Sequence, residues 1–393
     1  MRHSNRQPGP GREDPLQPSK RRRKRWMFAA VAMLIALLLV AGLTVGFAWY
    51  LTSRLVAVTH VHDTYPLRVL AVGTREATVT LTAGPDAAEP GSFRLAWPGG
   101  YGIVGPVIAS GNGFVIRRIS DVTGHLTVSQ QAGIEPGRYV GDPMTALGIH
   151  YTTVGVPTPL GKMPAWQISG HRSTWVILVH GLGGNRADTL AAIPVLHALG
   201  FPILAISYRN DAGTPASPDH QSHLGATEWH DVDAAIRYAT EQGASGVVLF
   251  GYSLGAAMAM VTAENSPVRG RVRGLVLDSP ILDWQATLTY QGDRHGLPAP
   301  LISLAESLLA WRTGLDFAQF NQLQHETSLQ VPALLIQGTA DTIVPPGLAD
   351  AFARARPRLV TYLRVAGADH VSAMDTDPGA YRAALARFLD GYP

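Results

Sequence analysis

The chain has 393 residues, 46% of them hydrophobic and 16% charged, which supplies a packed core over most of its length and argues against a disordered polypeptide. Its formal net charge of +3 is set at one end, because residues 1–25 hold nine Lys and Arg against two acids, leaving about −4 on the rest; a nucleic-acid-binding role has no basic surface to rest on. The absence of cysteine excludes disulfides, thiolate catalysis and cysteine metal sites.

Residues 1–25 read as a basic disordered cytoplasmic tail, rich in Pro, Gly, Arg and Gln and ending in the run Lys20 to Arg25. Trp26 to Leu51 then carries no charge. A helix over 26–51 would measure roughly 39 Å at about 1.5 Å per residue, against a hydrocarbon core of about 30 Å. Trp26 and Phe28 lie at one end of it and Phe47, Trp49 and Tyr50 at the other, as interfacial aromatics do. The stretch exceeds an ordinary signal-peptide core and no small-x-small site closes it, which favours an uncleaved signal anchor. Six basic residues precede the span and Arg54 alone follows it, so the N-terminus is expected in the cytoplasm and everything after residue 52 outside.

Residues 55–150 change character. Period-two alternation in Thr78 to Thr82, Phe93 to Trp97 and Leu126 to Ser129, with turn signals at Gly84-Pro85-Asp86, Pro98-Gly99-Gly100 and Asn112-Gly113, predicts a small antiparallel β-rich accessory domain. His60, His62 and Asp63 are read as stalk residues rather than metal ligands, and the segment offers no catalytic constellation.

Over 151–393 the rhythm is strand, helix, strand, which predicts a mainly parallel sheet with helices on both faces. Short strands apolar on both faces are expected at 175–179, 203–207, 247–250, 275–277, 333–336 and 361–365, and helices at 187–199, 227–241, 256–264, 348–356 and 379–389. Ligand chemistry in such sheets gathers at the carboxyl ends of the strands.

Gly251-Tyr252-Ser253-Leu254-Gly255 joins an apolar run to a run of small helix-forming residues, the pattern of a strand turning sharply into a helix with Ser253 at its apex. The flanking glycines permit strand and helix to pack closely. A hydroxyl becomes a competent nucleophile when an imidazole takes its proton and a carboxylate orients that imidazole. Asp341 and His370 stand at two later strand ends and supply both, in the order Ser, Asp, His; Asp278 is the alternative acid, and Asp341 could instead cap the helix after it. At a fourth strand end, His180-Gly181-Leu182-Gly183-Gly184 has the glycines that let backbone approach a substrate oxygen. The N–H groups of Leu182 and Leu254 are the expected oxyanion hole, and His180 is expected to order that loop rather than act as a base. Asp369 and Asp375 are expected to be exposed. His220 and His223 are placed at the edge of the cleft, without a third ligand for a metal.

These motifs, with Gly338-Thr339-Ala340-Asp341, Val344-Pro345 and Ala368-Asp369-His370, resemble the α/β-hydrolase family of serine hydrolases over roughly residues 160–393. The resemblance is to its esterase, lipase and prolyl-oligopeptidase-like branch, and Ala256, where the peptidases carry a second glycine, turns it toward the esterases and lipases. It implies an eight-stranded sheet, with Ser253 as nucleophile, Asp341 as acid and His370 as general base. Residues 281–328, with Trp284, Tyr290, Trp311 and Phe317, are read as a helical lid over the acyl pocket, with surface helices packed on the sheet as the alternative. The expected function is hydrolysis of carboxylic esters, small or lipid-like, without cofactor or metal. A serine peptidase or acyltransferase using the same three residues, or a non-catalytic cell-surface scaffold, are the alternatives. Nothing in the sequence sets an oligomeric state.

Overall fold

The computed structural model describes residues 20–58, 65–84, 86–88, 93–135, 141–324 and 329–393. The expected tail up to residue 19 and the His60, His62 and Asp63 group lie outside these.

The first helix, α1 (Lys20–Val56), starts inside the segment that composition assigned to the tail. Lys and Arg are good helix formers, and here they extend the apolar helix by a turn and a half. Leu34, Leu38 and Leu43 are among the residues exposed over most of its length, and the helix is long and apolar enough to cross a membrane. Its last turns behave differently. Ala48, Thr52 and Val56, spaced four apart and so on one face, are buried. Arg312 donates to the hydroxyls of Thr52 at 3.0 Å and Ser53 at 2.9 Å and lies 4.4 Å from the Trp49 ring.

Six strands follow: β1 (Leu67–Gly73), β2 (Thr78–Thr82), β3 (Phe93–Trp97), β4 (Gly100–Gly111), β5 (Phe114–Thr123) and β6 (Gln131–Glu135). They close into an antiparallel barrel in the order β1-β2-β5-β4-β3-β6, a closure that leaves no free edge. Alternation puts Val69, Val79, Leu81, Leu95 and Val115 inside. Asn112-Gly113 forms the β4–β5 turn with Gly113 at φ 91°, as its sequence predicts. Buried Arg117 is satisfied internally, donating to the carbonyls of Gly105 at 2.7 Å and Ala87 at 3.1 Å.

After a short helix, α2 (Pro143–Leu147), comes an eight-stranded sheet: β7 (Thr152–Thr158), β8 (Gly161–Ile168), β9 (Thr174–Val179), β10 (Ile203–Ile206), β11 (Gly246–Tyr252), β12 (Val272–Asp278), β13 (Ala333–Gly338) and β14 (Val360–Val365). Its order is β14-β13-β12-β11-β9-β10-β8-β7, parallel from β14 to β10 and antiparallel at the β8 and β7 edge. Period-two geometry sends Trp175, Ile177, Val247 and Leu249 to one face and Val176, Leu178, Val248 and Phe250 to the other, which is why both faces read as apolar. Covering these faces are α3 (Ile193–Ala198), α4 (Trp229–Glu241), α5 (Leu254–Asn265), α8 (Pro346–Ala355), α9 (Ala373–Thr376) and α10 (Pro378–Leu389); between α5 and α8 run α6 (Trp284–Arg294) and α7 (Ala299–Thr313). The helix expected over 187–199 is split into a 3-10 turn, Arg186–Thr189, and α3, because Pro194 cannot donate within a continuous helix.

The close approach of α5 to β9 rests on glycine. A Cβ added at Gly255 would lie 2.3 Å from the Val179 carbonyl oxygen and 2.4 Å from that of His180, and one at Gly251 2.3 Å from the Ala256 nitrogen. Backbone cannot yield as a flexible side chain does, so Gly255→Ala is expected to cost at least about 1–3 kcal/mol. Gly270→Ala, where nothing lies within 4 Å, is expected to stay within about 0.5 kcal/mol. Thermal unfolding midpoints of the two variants check this, and equal midpoints would refute it.

Candidate active site

Ser253 sits between β11 and α5 with φ 52° and ψ −114°, a conformation a residue with a side chain adopts at a cost. Ser279 (φ 49°), after β12, and Val371 (φ 54°), after β14, share the left-handed region, and the Val371 N–H donates to Ser279 Oγ at 3.0 Å. Three strained turns therefore meet at one end of the sheet.

Between them the expected residues come together. His370 Nε2 lies 2.9 Å from Ser253 Oγ, and its Nδ1 lies 2.9 Å from Asp341 Oδ2. Asp341 is buried, and its other oxygen accepts the N–H groups of Ile343 at 2.9 Å and Val344 at 2.8 Å, while Gln337 Nε2 donates to Oδ2 at 2.8 Å. Capping of the following backbone and contact with His370 are thus both made by this one carboxylate. Such a chain can draw a proton from the serine onto the imidazole while the carboxylate stabilises the cation.

Asp278, the alternative acid, makes no hydrogen bond to His370. It accepts from Tyr381 Oη at 2.7 Å and Ser279 Oγ at 3.2 Å. Asp369, expected to be exposed, is buried: it accepts the Thr342 N–H at 2.7 Å, the Thr342 hydroxyl at 2.9 Å and the His370 N–H at 2.7 Å. A carboxylate placed between two loops that must be held together is drawn inward by their unpaired donors, which local polarity does not reveal. Asp375 is half-buried and forms part of the cavity wall at Ser253.

Leu182, in the turn after β9, and Leu254, the first residue of α5, flank Ser253, and no hydrogen bond within the described residues uses either N–H. Both donors are thereby left for an incoming oxygen. His180 is fully buried and clamps the Leu182 turn: its Nε2 is 2.8 Å from Asp211 Oδ2, its Nδ1 2.9 Å from the Gly181 carbonyl oxygen, and its ring stacks on Tyr208 at 4.2 Å. Tyr208 Oη donates to that same carbonyl at 2.8 Å. Burial alone would lower the His180 pKa, but the Asp211 carboxylate outweighs it and holds the imidazole above its usual value.

A cavity of about 260 Å³ opens over Ser253 and His370, with Leu182, Ala187, Met374 and the barrel residue Phe93 in its walls. Among the described residues of 281–328 none lines it. These residues pack instead on the core over one sheet face, through Trp284 and Leu309, and against α1, and they hold the Asp341 loop, with Tyr290 Oη donating to the Asp341 carbonyl at 3.0 Å and Gln291 Nε2 to the Thr342 carbonyl at 2.7 Å. His223 is engaged by Asp219 at 3.0 Å and the Thr313 carbonyl at 2.8 Å, and neither it nor His220 lines the cavity.

Burial pushes the Asp278 carboxyl up to about 6, against the hydrogen bonds from Tyr381 and Ser279 that pull it down. A folded-state value above the usual 3.8 means that the native state holds this proton more tightly; the stabilisation is complete below 3.8 and is lost as pH rises through about 6. Asp278→Asn keeps an acceptor for Tyr381 but cannot ionise. Its stability relative to the parent is expected to rise by about 3 kcal/mol between about pH 4 and pH 7, read from denaturation curves of both proteins. A constant difference across that range would show that Asp278 titrates normally.

Residues 68–135 match a family described only as a domain of unknown function (DUF8805), and residues 174–298 match the family described as alpha/beta hydrolase fold. An uncharacterized Mycobacterium tuberculosis protein, Rv2307c, is 29% identical over 229 residues, 56% of this chain and 71% of its own length. The solved structure of the Pyrococcus furiosus esterase Pf2001 superposes with a TM-score of 0.52 at 22% identity, covering 65% of this chain and 97% of that one. Together with the strand order and the serine at the β11–α5 turn, these likenesses show that the chain has the α/β-hydrolase fold.

Proposed function

We propose that this protein is a membrane-anchored serine hydrolase that cleaves carboxylic esters outside the cytoplasm. The observation that carries the proposal is the bridge made by His370, 2.9 Å from Ser253 Oγ on one side and 2.9 Å from Asp341 on the other. Ser253 Oγ attacks the ester carbonyl as its proton passes to His370 Nε2, and the developing oxyanion is met by the N–H groups of Leu182 and Leu254. His370 returns the proton to the leaving alcohol. A water deprotonated by His370 then attacks the acyl-enzyme, releasing the acid and restoring Ser253. The ester class named for the Pyrococcus furiosus protein is carried over here as part of the proposal.

The anchor reading is supported by how α1 is used. Its exposed apolar length suits lipid, whereas Ala48, Thr52 and Val56 are buried against the hydrolase part, a face that a cleaved leader would leave uncovered. The basic run Lys20 to Arg25 before the span favours a cytoplasmic N-terminus.

A fluorophosphonate probe is expected to label the full chain in detergent, and a short-chain ester to be hydrolysed by it. Ser253→Ala is expected to abolish labelling and lower kcat by at least about 10⁴-fold, and Asp341→Asn to lower it by about 10⁴-fold through the wrong imidazole tautomer. A well-folded parent that neither labels nor turns over would sink the enzyme proposal and favour the scaffold alternative. For topology, an alkaline phosphatase fused after Pro393 is expected to be active in intact bacterial cells; a silent fusion would reverse the orientation.

A further inference from the structure

A larger cavity, of about 500 Å³, adjoins the one at Ser253, and the two share Leu182, Gly183, Gly184 and Ala187 as a common wall. Its walls also include Arg54 and Leu55 at the end of α1, Val58 just beyond that helix, and Trp166 and Arg186. A ligand reaching across the oxyanion turn would therefore have one end at the nucleophile and the other beside the last turn of the apolar helix.

Arg186 lines this cavity and carries a buried, unsatisfied donor. Its guanidinium lies 4.8 Å from the Trp166 ring centre, and its Nη1 is shut off from solvent with no hydrogen-bond acceptor. Buried donors of this kind are rare in folded proteins, and a guanidinium is the planar fork that carboxylates and phosphates fit. The other charges in the wall are already committed. Asp211 holds His180 and accepts the Tyr208 N–H at 2.9 Å, and Glu228 accepts the N–H groups of His223 at 2.7 Å and Gly225 at 3.0 Å. Arg209 is gripped by both oxygens of Asp231, at 2.9 and 2.8 Å. Arg186 and Arg54 are the cations in the wall that make no salt bridge among the described residues, although the charge of Asp211, itself bonded to His180, acts on Arg186.

We propose that this cavity is an anion subsite, in which Arg186 and Arg54 hold a phosphate or carboxylate carried by the same molecule whose ester is cut at Ser253. The inference rests on the ester-hydrolase reading and narrows its substrate to amphiphilic esters with an anionic head. With α1 as anchor, Arg54 and the cavity lie at the level of lipid headgroups, where esters of that kind are concentrated.

The test uses the full chain in nanodiscs and two matched esters, 1-butyrylglycerol and 1-butyrylglycerol 3-phosphate. The parent protein is expected to favour the phosphate ester in kcat/KM by about tenfold or more. Arg186→Gln is expected to erase that ratio, mainly through KM, Arg186→Lys to restore part of it, and Arg54→Gln to reduce it severalfold. A parent that shows no preference, or a ratio unchanged in both Gln variants, overturns the subsite. Calorimetric titration of Ser253→Ala decides the matter even if neither ester is hydrolysed, an outcome that would count against the hydrolase reading alone. Butyl phosphate is expected to bind at least about tenfold more tightly than inorganic phosphate or butanol, and to lose about tenfold in affinity when Arg186→Gln is added. Unchanged affinity in that double variant, or inorganic phosphate binding as tightly as butyl phosphate, overturns the assignment.

Discussion

The backbone of α5 lies against the carboxyl end of β9 with no room for a side chain at Gly255. That contact sets the geometry of the site. It brings the turn after Val179 beside Ser253, close enough that a Cβ on Gly181 would stand 3.3 Å from the serine Cβ. Ser253 and the N–H groups of Leu182 and Leu254 are in this way brought together by a main-chain contact, and main chain moves less than side chains do and costs little to reorganise when charge develops. The unfavourable φ at Ser253 is sustained because β11 and α5 are both buried along most of their length and over-determine the turn between them.

The other two loops are held by polar groups rather than by packing. Asp369 ties the His370 loop to the Asp341 loop through its bonds to the N–H groups of Thr342 and His370, and Gln337 fixes the Asp341 oxygen that faces the imidazole. His180, Asp211 and Tyr208 do the same for the turn that carries Leu182. Each of these groups is buried and paired, so the loops keep one arrangement instead of several.

Much of this was legible in the sequence, for identifiable reasons. Short apolar runs followed by Gly, Asp, Ser or His mark parallel strands and their functional ends, and Ser253, Asp341 and His370 stand where those marks fall. The β7 and β8 hairpin escapes the pattern rules because the edge strand Thr152–Thr158 and its neighbour Gly161–Ile168 have mixed polarity and one proline each. Barrel closure was invisible because β1 meets both β2 and β6, a pairing over long sequence separation that local alternation does not encode. The burial of Asp369 is hidden from local pattern for the same reason: its partner Thr342 lies 27 residues away. Arg186 gave no signal at all, since its place over Trp166 depends on how β8 and the turn after Gly184 meet.

The segment expected to be a lid shows how a correct element can carry a different role. Helices are expected in 281–328, and α6 and α7 are there, but their apolar residues are spent on the core over one sheet face, where Trp284 and Leu309 lie, on α1 and on each other rather than on the cavity at Ser253. Arg312 grips Thr52 and Ser53 of α1, while Tyr290 and Gln291 of α6 grip the backbone of the Asp341 loop. One helical hairpin therefore braces the end of the apolar helix against the Asp341 loop. A hydrolase whose long helix served only as a tether would need no such brace, because a flexible linker would do. Here the last turns of α1 are part of the folded body, and the orientation of the site relative to that helix is built into the packing.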